Sequence, residues 1–162
     1  MSTRKAISSR SGSSNPFDMK DNLIDYMDND IVYLRGSAMT VIRAAAARRS
    51  ETPAGVMTTF ASPGQGGSRQ SVWQVDARPG TAGPRHDFDC EQIWAFVTGA
   101  ATVELGDATF EVAGGDTVIM PPHTARRVTA AAEGFTAVVT AAGDAKAILP
   151  DGTVHGTPPW IA

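Results

Sequence analysis

From Pro53 onward, short runs of alternating apolar and polar residues follow one another: GVMTTFAS, SVWQVDAR, EQIWAFVTG, ATVELG, ATFEVA, DTVIMP, ARRVTA and FTAVVTA. Each is rich in Val, Thr, Ile or aromatic residues, which suit a pleated, half-buried surface. Turn residues stand between them: Pro63-Gly64, Pro79-Gly80, Gly106-Asp107, Gly114-Gly115 and Gly143-Asp144. Short strands with this punctuation predict an all-β sandwich or barrel over residues 51–162. In the closing GTPPWIA, two prolines end a strand, and Trp160 is predicted to plug one end of the core.

The first fifty residues read differently. Residues 1–16 are rich in Ser and basic side chains with almost nothing to bury, so a disordered tail is predicted. Residues 17–50 form an N-terminal extension. Asn15-Pro16 has the form of a helix N-cap followed by proline at the first helical position. Asp18 and Asp21 then suit the positive end of a helix dipole. Leu23, Ile24 and Met27 supply a short apolar face, so a short amphipathic helix is predicted. After Asp28 the pattern changes, and IVYL (31–34) reads as a strand. MTVIRAAAARR (39–49) fits helix and strand equally.

The chain has 162 residues, 42% hydrophobic and 19% charged, which suits one packed domain. Its net charge of −3 argues against a nucleic-acid partner, which needs basic surface. No apolar run approaches the roughly 20 residues of a membrane-spanning helix, so no membrane partner is expected. The first residues lack an apolar signal core, and the expected location is the cytoplasm. The single cysteine, Cys90, allows no internal disulfide and no Cys-rich zinc module. Acids flank it on both sides, which disfavours a thiolate nucleophile.

The stretches that carry chemistry are GTAGPRHDFDCEQIWAFVTG, residues 80–99, and GDTVIMPPHTARRV, residues 115–128. Strand alternation puts His86 and Phe88 on one face, and Gln92, Trp94 and Phe96 on one face of the next strand. The Pro-Pro corner and the strand after it bring Arg126 toward the same interior. Arg127 should then point outward.

Spacing within these stretches resembles the paired motifs of the cupin superfamily, a small double-stranded, jelly-roll-like β-barrel. That family's first motif is Gly, five residues, His-x-His, three residues, Glu, six residues, Gly. Here the same spacing runs through Gly80, His86-x-Phe88, Gln92 and Gly99. The second motif is Gly, five residues, Pro-x-Gly, two residues, His. Here it runs through Gly115, Pro121-x-His123 and Arg126. The likeness covers roughly residues 56–139 and implies a cupin barrel, and homodimers as in single-domain cupins.

The departures bear on function. Metal-binding cupins use both histidines and the glutamate of the first motif and the histidine of the second. Of these only His86 remains. Phenylalanine cannot ligate, glutamine offers only a neutral oxygen, and arginine offers only donors. A guanidinium about 4 Å from a divalent ion is repelled by several kcal/mol even at an effective dielectric near 20. No cofactor is therefore expected. The alternative, a divalent metal, would need a rearranged set of His86, Glu91 and His123. His155, in the tail, reads as a surface histidine.

What remains is a cation, a histidine, an amide and aromatics around one concavity. The predicted function is a metal-independent isomerase, cyclase or lyase acting on an anionic or conjugated organic substrate. His86 would be the acid/base and Arg126 the anion clamp, with Phe88, Gln92, Trp94 and Phe96 holding the substrate. An internal ion pair of Arg126 with Glu91, Glu104 or Asp116 is the competing expectation. One alternative function is a non-catalytic ligand-binding or sensory barrel. Another is a metal-dependent oxygenase or polyketide-type cyclase with an unusual ligand set. The Ala-, Gly- and Thr-rich composition suggests a bacterial source.

Overall fold

A computed structural model describes residues 40–162 and two short preceding strands. In chain order the strands are β1 (Ile24–Tyr26), β2 (Ile31–Leu34), β3 (Thr40–Ile42), β4 (Arg48–Thr52), β5 (Gly55–Ala61), β6 (Gln70–Ala77), β7 (Asp87–Phe88), β8 (Gln92–Leu105), β9 (Ala108–Ala113), β10 (Thr117–Met120), β11 (Arg126–Ala142), β12 (Ala147–Ile148) and β13 (Val154–Gly156). A 3-10 turn covers Ala44–Ala46. No helix among the described residues is long and apolar enough to cross a membrane.

The main sheet has the order β10-β8-β11-β6-β5-β4, with β9 also paired to β8. All its pairings are antiparallel. Two strands, β8 and β11, are long enough to serve two parts of the barrel. The first half of β8 lies between β10 and the second half of β11. Its second half lies between β9 and the first half of β11. The corner is at Gly99, with φ 73°, opposite a register shift between Ala130 and Phe135. A Cβ at Gly99 would sit 2.1 Å from the Gly134 carbonyl oxygen, so the close approach itself demands glycine. The runs EQIWAFVTG and ATVELG are thus one bent strand, and ARRVTA and FTAVVTA are another.

Two buried clusters fill the barrel. Phe96, Val103, Met120 and Phe135 belong to one, and Trp73, Phe88, Val139 and Ile161 to the other. The C-terminal segment returns to the second cluster. Ile161 is fully buried, and its carbonyl accepts from Ser71 Oγ. The Thr59 hydroxyl donates to the Trp160 carbonyl at 2.9 Å. Ile161, not Trp160, is therefore the buried anchor, and Trp160 is half-buried.

The N-terminal part departs from the sequence expectation. Ile24–Tyr26 is a strand, paired antiparallel with Ile31–Leu34, where a helix was predicted. Ile and Tyr have high strand propensity, and a helix this short is marginal. The remainder of that predicted helix and the predicted tail lie outside the described residues. MTVIRAAAARR resolves into β3, the 3-10 turn and the start of β4.

Candidate functional site

An apolar cavity of about 500 Å³ opens into the barrel. Alternation along the strands builds its walls. Met57 comes from β5, Val75 and Ala77 from β6, Trp94 from β8, and Val128 and Phe135 from β11. The tail closes the remaining side with Ala147, Leu149, Pro158 and Trp160. His86 and Phe88 complete the wall.

His86 is held by a local bond and a bridge to β11. Its backbone N–H donates to the Arg126 carbonyl and its carbonyl accepts from Arg126 N–H. Nδ1 lies 2.8 Å from the Pro84 carbonyl oxygen. A carbonyl only accepts, so the proton sits on Nδ1, and Nε2 is the acceptor of the neutral ring. Burial pushes the His86 pKa below its ordinary value. The bond to Pro84 opposes that, Arg126 reinforces it, and Asp87 opposes it. The neutral form is favoured at pH 7. The ring meets Phe88 edge-on with centroids 5.2 Å apart.

The other candidate residues divide. Phe88 and Trp94 are cavity walls. Phe96 is not; it is 2% exposed and stacks obliquely on Phe135 inside the core. Gln92 is 1% exposed and also lies behind the wall. Its Oε1 accepts from the Trp94 indole N–H at 3.1 Å, while its Nε2 has no partner. Arg126 too is 1% exposed and does not line the cavity. Its Nε donates to the Thr124 carbonyl at 3.1 Å and its Nη2 to the Pro121 carbonyl at 2.7 Å. Nη1 is unpartnered, and the guanidinium carbon stands 5.7 Å from the Phe88 ring centre.

The expected ion pair of Arg126 with Glu91, Glu104 or Asp116 does not form. Glu104 instead pairs with Arg85 at 3.1 Å and reaches Arg127 at 3.9 Å on the half-exposed face. Asp116 accepts from the Ala113 N–H, and Glu91 is exposed. Cys90 has its thiol pKa raised, chiefly by burial, with Asp89 adding to the effect.

The rearranged metal set is not assembled. His123 and Glu91 are both exposed, and no group of three His, Cys, Asp or Glu converges among the described residues. His123 occupies the family's glycine position with φ 53°, which explains why glycine is usual there. At the usual metal position the donor set does not fit a divalent ion. Phe88 has no ligand atom, the Gln92 oxygen is engaged by Trp94, and a buried guanidinium occupies the fourth place.

One lining residue ran against expectation. His155 is exposed, yet it stands on the cavity wall beside Leu149 and Pro158. The pairing of β13 with β12, and of β12 with β7, folds the tail over the opening. Nothing local in the sequence signals that return.

Comparison with known proteins agrees with this architecture. Residues 75–141 match the family model of the AraC-like ligand binding domain. No match is found among curated proteins. Among solved structures, oxalate decarboxylase of Bacillus subtilis superposes with a TM-score of 0.56 at 14% identity. That match covers 60% of this chain but only 27% of the oxalate decarboxylase chain. An RmlC-like cupin from Shewanella frigidimarina gives a TM-score of 0.54 at 15% identity, covering 62% of this chain and 86% of that one. The fold is the cupin barrel that the motif spacing implies.

Proposed function

We propose that this cupin barrel binds a mainly apolar small organic molecule in the cavity between β5, β6, β11 and the C-terminal segment. The observation that carries the reading is the lining. Met57, Val75, Trp94, Val128, Phe135 and Trp160 surround a space of about 500 Å³, and His86 is one of the few polar side chains among them. A space of that size, apolar with a few placed polar atoms, is the usual form of a small-molecule site. The match of residues 75–141 to a ligand-binding family supports the same reading. His86, neutral and with its proton on Nδ1, offers Nε2 as an acceptor for a ligand hydroxyl or amide.

A second reading rests on that same tautomer. A neutral imidazole with a free Nε2 in an apolar site is equipped to take a proton, as an isomerase, cyclase or lyase requires. The fate of a bound compound separates the two.

The test is calorimetric titration with hexanol and benzyl alcohol, followed by mass spectrometry of the recovered compound. Wild type should bind, and Val75→Trp, which fills the cavity, should lose binding. If no compound of this size binds, neither these alcohols nor their carboxylate counterparts, the reading fails. For a natural ligand, recovery unchanged supports binding alone, and conversion lost in His86→Ala supports the catalytic reading.

A further inference from the structure

The interior holds a charge without an ion-pair partner. Arg126 is 1% exposed, and among the described residues no Asp or Glu forms an ion pair with it. Asp87 acts on it electrostatically without forming an ion pair, and the buried Asp87 Oδ1 has no hydrogen-bond partner of its own. Two carbonyl oxygens take up Nε and Nη2, which leaves Nη1 buried with nothing to donate to. A buried cation without an ion pair is costly, and such a group is normally paired.

The core holds a second unpartnered donor. Gln92 Nε2 is buried without an acceptor. The register links the two positions through Met120 and Pro121. Gln92 faces Met120 across the β8–β10 pairing, and the next residue, Pro121, carries the carbonyl that Arg126 Nη2 binds. Both donors adjoin cavity walls. The guanidinium stands over the Phe88 ring, and Gln92 is bonded to the Trp94 indole. Buried polar atoms without partners are rare enough that two donors at one place call for an acceptor.

We infer that Arg126 and Gln92 form a deep acceptor subsite behind Phe88 and Trp94, which takes the carboxylate or equivalent anionic head of a ligand whose apolar body fills the cavity. This inference rests on the proposed ligand-binding function and names its ligand class: an amphiphilic monoanion. The head supplies the close counter-charge that Asp87 does not, and it accepts from Arg126 Nη1 and Gln92 Nε2. Charge-assisted bonds of this type are stronger than neutral ones. Entry requires the Phe88 ring to give way, since Arg126 is not itself on the cavity surface.

The experiment compares matched probes by calorimetry: hexanoate against hexanol, and benzoate against benzyl alcohol. In wild type each carboxylate should bind about tenfold tighter or more than its alcohol. Arg126→Met should remove that preference, so that each carboxylate binds no tighter than its alcohol. Gln92→Leu should reduce it without abolishing it, and it keeps the test open if Arg126→Met does not fold. Alcohols that bind as tightly as carboxylates in wild type overturn the subsite and leave the ligand-binding reading standing. A preference that survives both substitutions also overturns it. Failure of all four probes in wild type overturns both.

Discussion

The two sides of Phe88 solve different problems. On one side is a cavity walled by Met57, Val75, Trp94 and Phe135, where nearly every surface is apolar and a ligand gains by leaving water. On the other, Arg126 and Gln92 are buried to the same degree as the core, each with one donor left over. The first region offers area and little direction; the second offers direction and almost no space. The contrast teaches that a cupin barrel can set apolar volume and buried polar groups side by side on two faces of one ring. A guanidinium and an amide stand where ligands would be, and the apolar volume lies beside them.

The sharpest way to break this division is to remove the partition. Phe88 is 3% exposed and touches both His86 and Arg126. Phe88→Ala should cost about 3–5 kcal/mol of stability, as for other buried aromatics. In exchange it should join the two regions, so that carboxylate probes bind faster relative to wild type. Chemical denaturation and stopped-flow binding check the two effects.

A smaller effect tests whether Gln92 Nε2 is truly unpartnered. Gln92→Leu removes an unsatisfied donor but also strips the Trp94 N–H of its acceptor. Each change is of order 1–3 kcal/mol and the two oppose each other. Stability of the free protein should therefore stay within about 1 kcal/mol of wild type. A loss well beyond that in urea unfolding would mean that the amide has a partner, and the contrast would weaken.

The smallest effect concerns pH. Burial lowers the His86 pKa from its ordinary 6.5. Above that value His86 is neutral in folded and unfolded chains alike. As pH falls through 6.5 the unfolded chain takes up a proton first, so stability drops until the folded pKa is passed. His86→Leu should flatten that part of the stability profile, measured by urea unfolding across the range. An unchanged slope would show that other groups set it.

Much of this was legible in the chain. The spacing from Gly80 to Gly99 and from Gly115 to Arg126 implied the barrel, and alternation placed His86, Phe88 and Trp94 on its inner wall. What escaped depends on geometry that spacing does not encode. Arg126 turns back on the carbonyls of Pro121 and Thr124, a choice made by the Pro-Pro corner. Gln92 and Phe96 share a face with Trp94, yet the cavity ends at Trp94 because Phe135 packs on Phe96. His155 reaches the site only through the long-range pairing of the tail. Ile24–Tyr26 was misread because the apolar spacing that includes Ile24 reads as helical, while Ile24 and Tyr26 also suit a short ladder.

The three tryptophans offer the most direct check, because each reports on a different place. Trp94 and Trp160 line the cavity, while Trp73 is 2% exposed in the core and is not part of the wall. We would follow their indole ¹H–¹⁵N signals while adding hexanol and then hexanoate. The account predicts that Trp94 and Trp160 shift with both probes and Trp73 stays in place. Trp94, bonded to Gln92, should shift further with hexanoate. Binding that leaves Trp94 and Trp160 unmoved would place the ligand elsewhere and contradict the account.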